Sequence, residues 1–128
     1  MDKNLLQALA ARAEQKQKER AEIKEFDFPG IGKLSFQKLS QRDQLYLIGK
    51  ISENADHYEK LMEAEVEMIF DCCPTLQDAE LQKELGVVDP FDTVWKLLDV
   101  REIQEVADKL TRWMGLIKDK NEESPVKN

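Results

Sequence analysis

Residues 99–117 read DVREIQEVADKLTRWMGLI and carry the clearest helical pattern in the chain. Asp99 and Glu102 have the spacing of a capping box, in which two side chains satisfy backbone N–H groups at the start of a helix. Apolar residues then recur every three or four positions, which places them on one helical face. They are Val100, Ile103, Ala107, Leu110, Met114 and Ile117. The stretch therefore predicts an amphipathic helix whose apolar face lies in a core.

Two longer helices are predicted before this stretch. Ser40 and Asp43 resemble a second capping box, and the helix that follows has Leu45, Ile48 and Ile51 on one side. A polar stretch at residues 52–56 interrupts the pattern, and Pro74 ends the next helix. The apolar stripe of that second helix consists of Tyr58, Met62, Val66, Ile69 and Cys73.

Two short helices should connect these segments to the last one. Residues 75–85 predict one helix, which Gly86 closes in a left-handed conformation. Asp89 and Pro90 predict the start of the other, with Asp89 as N-cap and Pro90 as first helical residue. The inner face of this helix is predicted to carry Phe91, Val94, Trp95 and Leu98.

The N-terminal third has a different organisation. Residues 4–24 are rich in good helix formers, and Asn4 is available as N-cap. Residues 25–37 alternate polar and apolar side chains around the turn sequence PGIG, which predicts a β-hairpin. Its buried face should carry Phe26, Phe28, Leu34 and Phe36.

The expected fold is therefore mainly α: a compact multi-helix domain with one small β-hairpin near the N-terminus and a long N-terminal helical arm. We expect the arm to cover residues 1–24, the globular helical domain residues 25–117, and a disordered tail residues 118–128.

Charge narrows the choice of partner. The 128 residues contain 19 Lys and Arg against 26 Asp and Glu, which gives a net charge of −7. Such a chain repels a phosphate backbone, so nucleic acid is not an expected ligand. No window approaches the roughly 20 apolar residues that a bilayer span needs, so no membrane is expected either. Cys72 and Cys73 are neighbours and are predicted to be reduced thiols of a cytoplasmic protein.

The sequence contains no complete catalytic or cofactor-binding motif. The run PGIGK at residues 29–33 lacks the spacing of a phosphate-binding loop. His57 is the single histidine. A two-histidine metal site therefore cannot form, and no second histidine is available for a Ser-His or Cys-His catalytic pair. Cys73 lies on an apolar stripe and is interpreted as a core residue. We expect no catalytic residue, no metal and no cofactor.

Two sets of residues are candidates for partner binding. Leu5, Leu6 and Leu9 lie at the start of a helix whose second half is polar on every side, so they pack either on a partner or on their own domain. The second set is an acidic row along one helical face, which is either a docking face for a basic partner or a solvated surface. The acidic row consists of Asp56, Glu59, Glu63 and Glu67.

A family resemblance lies in the run CPTLQDAELQKELGV at residues 73–87, followed by Pro90 and by WKLL at residues 95–98. This pattern resembles the C-terminal half of XkdN-like phage tail assembly chaperones. The hairpin and capped helix of residues 28–45 are similar to the front portion of that family. The resemblance covers roughly residues 25–116 and contains packing and capping signals without a catalytic motif.

The resemblance implies a phage or prophage tail assembly chaperone, which is not an enzyme. Such a protein binds and solubilises the tape measure protein in the host cytoplasm until tail-tube subunits polymerise around it, and it is absent from the finished virion. Tail-tube subunits are a second expected partner. The oligomeric state is left undecided, and a homo-oligomer is one alternative. The alternative function is a small acidic regulatory protein that uses the acidic row to mimic nucleic acid and block a basic partner surface.

Overall fold

The computed structural model describes residues 1–117. These residues form six α-helices and one antiparallel hairpin near the N-terminus, which confirms the predicted fold class. The disordered tail predicted for residues 118–128 lies outside the described residues. The elements are α1 (Lys3–Arg20), β1 (Ile23–Phe28), β2 (Gly32–Gln37), α2 (Gln41–Glu53), α3 (Tyr58–Cys72), a 3₁₀ helix (Pro74–Gln77), α4 (Ala79–Leu85), α5 (Asp92–Leu97) and α6 (Val100–Trp113).

Helix α3 is the centre of the domain. It packs against α6, α2 and α5 and against the 3₁₀ helix that follows it. The predicted stripe is buried at Met62, Val66 and Ile69, but Tyr58 at the first turn is exposed, so its place in the stripe was wrong. Because α3 has neighbours on more than one side, it also buries a second set of side chains: Ala64, Met68 and Cys72.

Helix α6 forms as its sequence predicts. The Glu102 N–H donates to Asp99 Oδ1 at 2.9 Å, and the Asp99 N–H donates to Glu102 Oε1 at 3.1 Å, so the capping box is complete. The middle of the stripe is buried, and its two ends are exposed. Val100 is exposed because it lies in the first turn, and Ile117 because the helix ends at Trp113. Predicting burial for both was wrong.

Helix α2 shows a further correction. Ser40 is the N-cap, and its Oγ accepts a hydrogen bond from the Asp43 N–H at 3.2 Å. Leu45, predicted for the inner face, is 72% exposed, whereas Leu47 is buried. Successive residues turn by 100°, so these two side chains lie on nearly opposite sides of the helix. The buried face is fixed by contact with α3, and Ile51 packs at the edge of that face.

The short helices start later than predicted. Residues 75–85 are divided at Asp78, whose carboxylate accepts from the N–H groups of Glu80 and Leu81 and so begins a new helix. Gly86 adopts the predicted left-handed conformation with φ of 69°. Helix α5 begins at Asp92, after a turn in which Asp89 Oδ1 accepts from the Phe91 N–H. Trp95 is 41% exposed and is not an inner-face residue.

The hairpin has the predicted inner face. Phe26 lies opposite Leu34 and Phe28 opposite Gly32, so the four predicted side chains share one side. Phe28 and Phe36 are buried, and Phe26 and Leu34 pack against them half-buried. The first strand begins at Ile23 rather than at residue 25, and the arm helix correspondingly ends at Arg20. That helix is capped by Asp2, not by Asn4, because Asp2 Oδ1 accepts from the Asn4 N–H.

One acidic side chain lies at the contact between α3 and α6. Glu65 is half-buried beside Met68, and Asp108 of α6 lines the same depression. Burial, together with the negative charge of Asp108, raises the pKa of Glu65 to about 7. The folded protein therefore holds a proton on Glu65 at pH values where the unfolded chain has lost it.

Glu65 should make the folded state less stable as pH rises. Between about pH 5 and pH 8 we expect its contribution to lower the free energy of unfolding by about 1–2 kcal/mol, after allowance for its partial exposure. Glu65→Gln should remove this decline and be the more stable protein at pH 8. Urea denaturation at several pH values measures the effect. Glu59→Gln, at an exposed position of the same helix, is the control and should leave the decline in place.

Candidate functional site

Helix α1 is an arm without a buried side chain. It is 18 residues long, and none of its residues is buried in the domain. Leu5, Leu6 and Leu9 are 50%, 55% and 51% exposed, so the alternative in which they pack into their own core is wrong. At 100° per residue the three leucines lie on one face of α1. We call this surface the leucine face.

The second half of α1 is polar, as the sequence predicts. Its ion pairs are local: Lys16 Nζ lies 3.4 Å from Glu19 Oε2, and Lys18 Nζ lies 3.7 Å from Glu14 Oε1. Such pairs on an exposed helix contribute little to stability. The leucine face and this polar half therefore belong to one projecting helix, and the leucine face lies in its first half.

The predicted acidic row is not continuous in the structure. Asp56 lies in the turn before α3 and not on the helix, whereas Glu59 and Glu63 are exposed on the helix itself. Glu67 is half-buried and accepts a hydrogen bond from Lys50 Nζ of α2 at 2.7 Å. This bond raises the pKa of Lys50, which therefore holds its positive charge beside Glu67. Asp56 is therefore outside the row because it lies in a turn, and the charge of Glu67 is paired with that of Lys50.

The structure adds a groove between α3 and α5 that the sequence does not reveal. Its volume is about 350 Å³, and its floor includes Val66 and Phe91. The Phe91 ring packs edge-on against Phe70 with centroids 5.1 Å apart. The groove lining also includes Trp95, the Lys50 ammonium group and four carboxylates. Sequence analysis missed this groove. The signal that could have indicated it is Trp95, a large aromatic residue that lies exposed on α5. The carboxylates are those of Glu63, Glu67, Asp89 and Asp92.

The two cysteines and the histidine lie at opposite ends of α3. Cys72 and Cys73 are free thiols and both are buried. Burial raises the pKa of Cys72 to about 12, which leaves it protonated and unreactive at neutral pH. His57 precedes the first turn of α3 and makes no side-chain capping bond. Within residues 1–117, no group of three or more His, Cys, Asp or Glu side chains is arranged to hold a metal ion.

The described part of the chain offers two candidate binding surfaces. The leucine face is apolar, and the groove beside α5 is aromatic and acidic. No helix in residues 1–117 is both long and apolar enough to cross a membrane. Searches with the chain against family models, curated proteins and solved structures find no match.

Proposed function

We propose that this protein is an assembly chaperone that binds apolar helical segments of a client protein through its projecting arm. The observation that carries the proposal is the leucine face, because α1 exposes three leucines and buries no residue in its own domain. At 1.5 Å per residue the arm is about 27 Å long, which is enough to lie along several turns of a client helix. Contact between apolar helical faces is a common mode of peptide recognition.

The client we propose is the tape measure protein of a phage or prophage tail. The resemblance of residues 73–98 to XkdN-like tail assembly chaperones supports this choice. Binding would take place in the host cytoplasm, with tail-tube subunits as a second partner that displaces the chaperone during assembly. Displacement requires a reversible interface, and a small contact of three leucines suits a short-lived complex. The proposal includes no catalytic activity and no place in the finished virion.

Co-expression tests the proposal directly. The tape measure protein should stay in the soluble fraction and copurify on an affinity tag at Asn128 of this chain. A tagged chain expressed alone serves as reference for the yield and folding of the chaperone. Equal precipitation of the long protein with and without this chain would overturn the proposal.

The alternative of a nucleic-acid mimic has less support. A mimic needs a regular row of negative charge, and here Asp56 lies off the helix while Glu67 is paired with Lys50. Salt distinguishes the two functions because screening weakens exposed charge contacts and leaves apolar contacts largely unchanged. A complex with the tape measure protein that survives 0.5 M salt supports the chaperone, whereas binding to a basic nucleic-acid-binding protein that is lost as salt rises supports the mimic.

A further inference from the structure

A cleft lies between the open end of the hairpin and the last turns of α6. Its volume is about 480 Å³. Two of its lining residues come from β1 and three from α6, and both contributions combine basic and aromatic side chains. We call it the lysine cleft. It is lined by Lys24, Phe26, Lys109, Arg112 and Trp113.

The backbone explains why these side chains meet. Alternate residues of a strand face the same side, so Lys24 and Phe26 share the inner face of β1 with the buried Phe28. Towards the open end of the hairpin, the inner face of β1 is only partly covered by other residues, so Lys24 is exposed and Phe26 is half-buried. On α6, residues 112 and 113 follow residue 109 by three and four positions, so both lie on the same side of the helix as Lys109. The cleft is therefore a continuation of the core that reaches solvent.

Positive charge is concentrated on two aromatic rings of this cleft. Lys24 Nζ lies 5.8 Å and Lys109 Nζ 5.7 Å from the centroid of the Phe26 ring, so two ammonium groups share one ring. A third ammonium group, that of Lys38, lies 5.3 Å from the centroid of Trp113. Cation–π contacts of this kind hold lysines over aromatic surfaces.

Only part of this charge is neutralised. Lys38 Nζ lies 3.8 Å from Glu22 Oε1, and Arg112 Nε lies 3.0 Å from Asp108 Oδ2. Within residues 1–117, neither Lys24 nor Lys109 has a carboxylate oxygen within 4.0 Å. Lys24 and Lys109 therefore place two unneutralised ammonium groups beside one ring, in a chain with a net charge of −7. Because like charges repel, a bound anion between them would lower the electrostatic energy.

We propose that the lysine cleft binds an acidic peptide segment of a partner protein, with carboxylates between Lys24 and Lys109 and an apolar side chain against Phe26 and Trp113. The cleft is large enough for a few side chains and not for an extended polymer. A long polyanion would also meet the acidic surface of the domain, whereas a short acidic segment would not. This site is separate from the leucine face and does not depend on the proposed chaperone function.

Peptide titration tests this site. The probe is a Glu-Glu-Phe-Glu-Glu peptide with blocked ends, and the readout is Trp113 fluorescence in the Trp95→Phe variant, which leaves Trp113 as the one tryptophan. We expect saturable binding that Lys24→Gln with Lys109→Gln weakens about 10-fold, because each exposed charge contact contributes modestly. Both lysines are exposed, so the substitutions should leave the circular dichroism melting curve unchanged.

The matched control is Lys33→Gln with Lys60→Gln, which removes the same charge from exposed positions elsewhere. It should bind the peptide as the parent does. Several results would overturn the proposal: no saturable change in fluorescence, equal weakening in the control, equal binding of a Gln-Gln-Phe-Gln-Gln peptide, or tighter binding of a single-stranded oligonucleotide. As a positive test, Lys24→Glu with Lys109→Glu should instead bind a Lys-Lys-Phe-Lys-Lys peptide.

Discussion

Phe36→Ala is expected to lower the free energy of unfolding by about 3–5 kcal/mol, which is a large part of the stability of a small domain. Phe36 is fully buried, and its ring centroid lies 5.0 Å from that of Phe26 and 6.3 Å from that of Phe28. The strand that carries it packs on the 3₁₀ helix after α3. Removing the ring would therefore leave a cavity where the hairpin joins the helices. Urea denaturation followed by circular dichroism measures the loss.

Ile23→Ala is the control for this substitution. Ile23 lies on the same hairpin, but its side chain is 62% exposed and faces away from the phenylalanines. We expect a change within about 0.5 kcal/mol, as for most surface substitutions. If Phe36→Ala were as mild as Ile23→Ala, the hairpin would not be part of the core.

The combined variant Leu5→Ser, Leu6→Ser and Leu9→Ser is expected to reduce copurification of the tape measure protein at least 10-fold. Each substitution removes apolar surface from the leucine face, and loss of about 1.4 kcal/mol of binding free energy already corresponds to a factor of ten. The domain itself should keep its free energy of unfolding within about 0.5 kcal/mol, because no residue of α1 is buried. Pull-down yields and urea denaturation measure the two quantities on the same protein.

A control with three serines on the opposite face of α1 separates binding from loss of helix. Gln7→Ser, Ala11→Ser and Gln15→Ser change residues turned away from the leucines and lower helix propensity to a similar extent. We expect this variant to retain the client. Equal loss in both variants would show that the helix as such is needed, and retention in both would place the client elsewhere.

How far the sequence predicts this fold depends on the neighbours of each helix. Helix α6 has a complete capping box and one packed side, and its pattern located the buried face correctly at Ile103 and Leu110. In α2 the stripe was placed on Leu45, although contact with α3 turns Leu47 inward. A short helix with apolar residues on two sides allows more than one stripe, and only tertiary contact decides between them.

The candidate surfaces were predictable to different degrees. Exposed leucines on a polar helix follow from local pattern, so Leu5, Leu6 and Leu9 could be named from sequence, although their role in binding stays a prediction. The acidic row depended on a helix boundary near Asp56 and on whether Glu67 had a partner in α2, and neither is visible in the spacing. The lysine cleft joins β1 to α6, so no local pattern could have revealed it.

Alkylation of the adjacent thiols of Cys72 and Cys73 reports how often the core opens. Both side chains are inaccessible, and burial raises the pKa of each, so an alkylating reagent can react only in moments when the end of α3 separates from its neighbours. The alkylation rate under native conditions therefore reports the frequency of such moments. A ligand that requires the closed core lowers the alkylation rate in proportion to its occupancy. A client held only by the projecting arm leaves the alkylation rate unchanged.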